Sequence, residues 1–248
     1  MRNRMRAYYE ANPLMVSSPF GGVDAIDHEL LHDVFDRLGI LLTGRSVLDV
    51  GCGRGYVKDV VTECGASYVG ADLVKSRGGF PLVLAAATAL PFRSASFDGI
   101  LCIDAFEHFP NPVAAASEFR RLLRPSGFVF LSVPHYGNVA GLVKRWCERF
   151  GAYEKNTWAP FRQWQAQELE HLLTPRQVRV VFQRAAFSGF RVAGHAAEVS
   201  LGLCPWIEHK RMPEAIKFRL QRFFATIGPA VVRMWPGASL HGFWKIEV

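Results

Sequence analysis

Apolar residues recur along this chain at two spacings, and the alternation between them predicts its architecture. Ile26, Leu30, Leu31, Val34, Phe35 and Leu38 fall three or four apart, the period of one helical face, and Gly39 stands where that helix would stop. A short apolar run at 46–50 follows, of the kind carried by a strand buried on both faces. The two patterns then take turns. They give a helix from about 55 to 64, strands at 68–72, 82–86 and 97–103, a helix at 112–124 and a strand at 127–133. A helix at 176–188 and strands at 190–195 and 242–248 complete the series. Such alternation predicts an α/β fold, a doubly wound parallel sheet with helices on both faces. With 248 residues and 50% hydrophobic content, one elaborated domain over 1–248 is the simplest reading.

Where the first strand ends, residues 47–55 read VLDVGCGRG. Gly51, Gly53 and Gly55 lack a Cβ, so the backbone there can take positive φ and let a ligand lie against the main chain. A nucleoside-bearing cofactor is the natural candidate. The G-x-G-x-x-G of a dinucleotide loop fails in either register, because Tyr56 or Lys58 stands where the third glycine should be. The G-x-x-x-x-G-K-[ST] phosphate loop is absent as well.

Asp49-Val50-Gly51-Cys52-Gly53-Arg54-Gly55 resembles the first motif of the class I S-adenosylmethionine-dependent methyltransferases. Tyr68–Asp72 is similar to the second strand of that family, which ends in a carboxylate for the ribose hydroxyls. Ala89-Leu90-Pro91-Phe92 and Ser96–His108 resemble its adenine-binding stretch and fourth strand, and Arg121–Gly127 its helix-to-strand turn. Within the superfamily the chain looks like the methyltransferase-11 and ubiquinone/menaquinone C-methyltransferase group. The resemblance implies a Rossmann-like seven-stranded sheet with the last strand antiparallel, and S-adenosylmethionine as cofactor. It implies cofactor contacts from Asp49, Gly51, Cys52, Gly53, Gly55, Asp72, Leu73, Thr88, Ala89, Leu90, Asp104, Ala105 and His108. One departure stands out: many relatives carry an acidic residue before the Leu-Pro-Phe, and here Ala85, Ala86, Ala87 and Thr88 occupy that stretch.

Two segments exceed what the sheet needs. The first, 135–174, holds Trp146, Tyr153, Trp158, Phe161 and Trp164 and suits a lid or pocket wall for an apolar or aromatic substrate. The second, 199–240, sets Ile216, Leu220, Phe223, Phe224 and Ile227 on one helical face, with Lys217, Arg219 and Arg222 around the sides. Packing on its own protein is preferred for that helix over a membrane surface. Residues 1–25 read as an arm whose Tyr8 and Tyr9 would fold over the cofactor, as in relatives.

Five cysteines without a C-x-x-C pair argue against a disulfide framework or structural zinc and point to a reducing, cytoplasmic setting. Basic Met1–Arg6 lacks the apolar stretch of a secretory signal, and no run is long enough to span a membrane. A net charge of +7 keeps RNA as an alternative target and admits peripheral contact with an anionic membrane. No nucleic-acid module is visible, and a small or lipid-like acceptor with an oxygen, carbon or nitrogen nucleophile is preferred. A non-catalytic scaffold that binds the cofactor is the further alternative.

His28-Glu29-Leu30-Leu31-His32 is a literal H-E-x-x-H, but its polar members point away from the apolar helical face and the distal histidine position of the metzincins holds Leu38. No metal site is assigned. Ligands of doubly wound sheets bind at the carboxyl ends of strands, which makes Asp104 and His108 beyond strand four and His135 beyond strand five the catalytic candidates. His171, His195, His209 and His241 receive no role.

Overall fold

The computed structural model describes residues 2–11, 28–75, 79–150, 169–209 and 211–248. Tyr153, Trp158, Phe161 and Trp164 of the first insertion, the arm from 12 on and the Tyr9 side chain lie outside the described residues.

In chain order the elements are α1 (Arg2–Ala11), α2 (His28–Leu38), β1 (Ser46–Val50), α3 (Lys58–Glu63), β2 (Ser67–Asp72), β3 (Leu82–Leu84), β4 (Phe97–Ile103), α4 (Pro112–Leu122), β5 (Leu123–Pro134), α5 (Val139–Phe150), α6 (Pro175–Arg184), β6 (Gly189–Gly194), α7 (Val199–Leu203), α8 (Glu214–Met234) and β7 (His241–Glu247). They build one seven-stranded sheet in the order β3-β2-β1-β4-β5-β7-β6. The strands from β3 to β5 are parallel, and β7 runs antiparallel to both β5 and β6. That is the arrangement expected from the sequence, last strand included.

Strand periodicity divides the core into two layers. Leu48, Ile100, Val129 and Trp244 face α4 and α6 through Phe119, Val178 and Phe182. Val47, Leu101, Phe130 and Phe243 face α2 and α3 through Val34, Phe35 and Val60. Burying both faces explains why Val47-Leu48 in β1 and Ile100-Leu101-Cys102-Ile103 in β4 are apolar at successive positions instead of alternating.

Three boundaries differ from expectation. Helix α3 begins only at Lys58, because Gly55 turns at φ +78° and its amide is bonded back to the Cys52 carbonyl. Strand β5 begins at Leu123, which already pairs with Phe97 before the turn at Ser126, where φ is +64°. Helix α6 stops at Arg184, since Ala186 at φ +62° lets the Phe187 amide reach the Phe182 carbonyl and closes the helix end.

The second insertion meets the expectation of packing on its own protein in part. Only Gly228 and Val232 of the 21-residue α8 are buried, and its amino-terminal half is largely exposed, with Ile216, Phe218 and Phe223 at 49%, 60% and 54%. Its carboxyl-terminal half packs on the turn at 196–198, where a Cβ on Gly228 would stand 2.6 Å from the Ala196 carbonyl oxygen.

Candidate active site

The glycine loop leaves β1 and turns tightly against its neighbours. Gly51, Gly53 and Gly55 all have positive φ, at +77°, +51° and +78°. A Cβ on Gly51 would stand 2.4 Å from the Ala105 Cβ, so that glycine is what lets the loop close on the segment after β4. The loop amides are already committed: Gly51 and Cys52 donate to the Ala71 carbonyl at 2.8 and 3.3 Å, and Gly53 donates to Asp72 Oδ2 at 2.9 Å. A loop whose N–H groups are spent on its own protein makes a poor phosphate cradle.

Asp72 ends β2 beside that loop. One oxygen accepts from Gly53 and the other from the Val74 amide at 3.0 Å, and burial raises its pKa against those hydrogen bonds. A carboxylate offers about four acceptor positions, more than these amides fill, which suits a neighbouring hydroxyl donor. Asp49 and Cys52 lie deeper than the sequence suggested. Asp49 is 3% exposed, accepts the Tyr68 hydroxyl at 2.7 Å and has a pKa raised to about 7 by burial. The Cys52 sulfur packs against Gly70, where a Cβ would stand 2.7 Å away, and burial first, then Asp49, pushes the thiol pKa up. Their side chains support the loop from beneath, leaving backbone as what Cys52 can offer a ligand.

In the stretch expected to edge the adenine, Thr88 and Ala89 are exposed and Leu90 is buried. Their loop is held by a pair the sequence reading missed. Glu118 accepts two bonds from Arg121 at 2.7 Å each and the Leu90 amide at 2.8 Å, while Arg121 donates to the Leu90 and Phe92 carbonyls at 3.2 and 2.8 Å. The three-residue spacing of Glu118 and Arg121 on a helix was the available signal.

Beyond β4 the chain carries a buried polar network. Asp104 sits at φ +47°, a conformation that costs a non-glycine residue on the order of 1 kcal/mol or more and tends to mark functional turns. Its Oδ1 accepts from Ser132 Oγ at 2.7 Å, and Oδ2 lies 3.8 Å from His241 Nε2. On its other side His241 Nδ1 meets Glu198 Oε1 at 2.7 Å, and Glu198 Oε2 accepts the His241 amide at 2.8 Å. Burial alone would lower the His241 pKa, but Glu198 and Asp104 outweigh it and push it up to about 9. His241, set aside in the sequence, thus links the second insertion to the carboxyl end of β4.

His108 Nδ1 contacts the Leu169 carbonyl at 2.7 Å, which assigns the proton to Nδ1, and the unprotonated Nε2 lies 3.7 Å from Glu107 Oε1. Burial lowers its pKa, so the ring is neutral near pH 7. Glu107, just before it, is buried, and burial followed by Asp104 raises its pKa well above the usual range. Lys144 Nζ lies 3.0 Å from the Tyr136 hydroxyl and is paired with Glu170, joining α5 to the chain after β5. His135 departs from expectation. It is 1% exposed, packed edge-on to Trp244 at 5.8 Å and set directly over Gly242, where a Cβ would stand 1.7 Å from Nε2. Burial and then His241 lower its pKa to about 4. The ring is an interior group between β5 and β7, closed off from an acceptor. His28, Glu29 and His32 are exposed on α2, as their helical phase predicted.

A model of the methyltransferase domain matches residues 24–190. Two curated relatives are ubiquinone biosynthesis O-methyltransferases. That of Paracidovorax citrulli is 31% identical over 146 residues, covering 53% of this chain and 54% of the relative. That of Pseudomonas paraeruginosa is 33% identical over 108 residues, covering 37% and 45%. The chain thus spans about half the length of the curated relatives it matches. Among solved structures, a SAM-dependent methyltransferase from Archaeoglobus fulgidus superposes with a TM-score of 0.57 at 17% identity, covering 97% of this chain and 99% of that one.

Proposed function

We propose, from the premise that this chain belongs to the methyltransferase-domain family, that it moves a methyl group from S-adenosylmethionine to a small or lipid-like acceptor. The observation that carries this is the pairing of a tight glycine loop whose amides are internally bonded with the Asp72 carboxylate that those amides hold at the end of β2. Those groups fit a ribose diol better than a pyrophosphate.

In this reading Asp72 holds the ribose hydroxyls, Gly51–Gly55 lie along the methionine and ribose portion, and Leu73, Thr88, Ala89 and Leu90 edge the adenine. Bound S-adenosylmethionine supplies an electrophilic sulfonium methyl. The protein's task is alignment, and holding two reactants in line contributes several kcal/mol. A protonated acceptor hydroxyl needs a base, and neutral His108 with Nε2 unprotonated is the candidate. Asp104 and Ala105 shape the floor of the acceptor site, and Asp104 is an accessory to His108 through the field of its carboxylate.

The half-length kinship to quinone O-methyltransferases favours an oxygen acceptor on an apolar aromatic molecule. Its delivery from a membrane surface completes the reading. Incubation with methyl-labelled cofactor and fractionated cell lipids, followed by mass spectrometry for compounds that gain one methyl group, tests it. Label in an aromatic or lipid fraction is the expected result. Tight cofactor binding with no label in any fraction would favour the scaffold, and label in RNA would favour the other alternative.

A further inference from the structure

We propose that the outward face of α8 docks on an anionic phospholipid bilayer. The proposal names a partner for the methyltransferase reading and rests on it for its purpose, while its physics stands on the helix itself.

Helix α8 carries two apolar stripes. Leu220, Phe224, Ile227, Gly228, Val231 and Val232 recur at helical spacing and are half-buried or buried, so the protein's own packing accounts for them. Ile216, Phe223, Ala230 and Met234 form the other, separated by seven, seven and four residues, and Trp235 follows directly. Packing does not account for this second stripe: Ile216, Phe223, Met234 and Trp235 are 49%, 54%, 86% and 47% exposed.

Charge selects the occupant. The helix sequence holds Lys217, Arg219, Arg222 and Arg233 against a single acidic residue, Glu214, a net of +3 from four bases and one acid. Arg219, Arg222 and Arg233 are exposed and form no ion pair among the described residues, and Arg222 lies 5.7 Å from the Phe218 ring. Apolar side chains flanked by free arginines suit a surface with acyl chains beneath and phosphates above. A second copy on the same two-fold face would instead oppose arginine to arginine.

Placement agrees with this occupant. The insertion that carries α8 leaves the end of β6 and returns to the start of β7, where Gly194 pairs with Gly242 and His241 with Pro134 at the end of β5. That is the end of the sheet at which the glycine loop, Asp104 and His108 lie. A bilayer on α8 therefore sits at the same end of the molecule as the acceptor site.

Co-sedimentation of the full chain with vesicles of phosphatidylglycerol and phosphatidylcholine, and of phosphatidylcholine alone, tests the proposal. The chain should bind the anionic vesicles and release them as salt is raised. Ile216→Asp with Phe223→Asp should weaken binding about tenfold or more, and Arg219→Ala with Arg222→Ala several-fold. Should the aspartate variant fail to fold, the exposed arginine pair decides alone. No binding to anionic vesicles, or variants that bind as the parent does, would overturn the proposal. So would a dimer in sedimentation velocity that the same substitutions dissolve. Calorimetric affinity for S-adenosylmethionine without lipid should be unchanged in both variants. If the parent binds vesicles but no cofactor, the methyltransferase reading fails and the lipid surface stands.

Discussion

The two sides of the proposed site are built from different material. On the side proposed for the cofactor, between β1, β2 and the loop at 88–92, positions are set by backbone: glycines at positive φ, loop amides tied to the Ala71 carbonyl, and one carboxylate braced by two amides. On the side proposed for the acceptor, beyond β4 and β5, positions are set by largely buried ionisable side chains, with Asp104, Glu107, His108, Lys144, Glu170, Glu198 and His241 drawn from distant segments. The backbone-built side fails when a Cβ is added, and its pH dependence enters through Asp72 and through Asp49 beneath the loop, whose pKa burial raises to about 7. A site of buried charges fails when one charge loses its counterpart, and its strength follows pH.

That contrast can be broken at several points. The largest effect is expected at His241→Gln, which leaves Glu198 and Asp104, on opposite sides of the ring, without the imidazolium. Breaking such a buried pair costs roughly 3–5 kcal/mol, read as the shift in chemical denaturation. The pH dependence gives the sign. The ordinary His241 value of 6.5 is raised to about 9 in the folded protein, so its stabilisation is complete below about 6.5 and is lost as pH climbs through 9. The wild type should lose stability over that window relative to the glutamine variant, and parallel profiles would contradict the charge assignment.

Gly51→Ala comes next. A Cβ 2.4 Å from Ala105 in a residue at φ +77° combines crowding with backbone strain, on the order of 2–4 kcal/mol together, and should weaken cofactor binding at every pH. Affinity within a factor of two of the parent would show that the loop has room to spare. Asp72→Ala should cost about 1–3 kcal/mol of cofactor affinity by calorimetry while leaving a folded protein. Smallest of all, His28→Ala should alter stability by less than about 0.5 kcal/mol, because the residue is exposed and its nearest carboxylate among the described residues, on Glu63, is 4.0 Å away. A larger loss, or a metal-dependent melting temperature, would reopen the H-E-x-x-H.

The same contrast governs what could be read from the chain. β4 was legible to its limits at 97–103, and Asp72 followed from the end of an apolar strand, because those signals are local. The start of β5 was not, since Arg124-Pro125-Ser126 reads as a turn and only the pairing of Leu123 with Phe97 makes it strand. His241 was passed over because Glu198 lies 43 residues before it and Asp104 further still, and only the antiparallel β7 unites them. His135 misled for the complementary reason. It follows the expected strand end, yet Gly242 opposite opens a slot that draws its ring inside. The outward stripe of α8 is half visible in the sequence: spacing sets Ile216, Leu220, Phe223, Phe224 and Ile227 on one face with the bases around the sides, and burial divides that apolar face into two.

The central claim is that the glycine loop and Asp72 form a site for S-adenosylmethionine. Titration calorimetry of S-adenosylmethionine into the wild type and Asp72→Ala measures it directly. The account expects one cofactor per chain in the wild type and an affinity lower by about 1–3 kcal/mol in a variant that still folds without ligand. No heat in the wild type, or equal affinity in the two proteins, would contradict it.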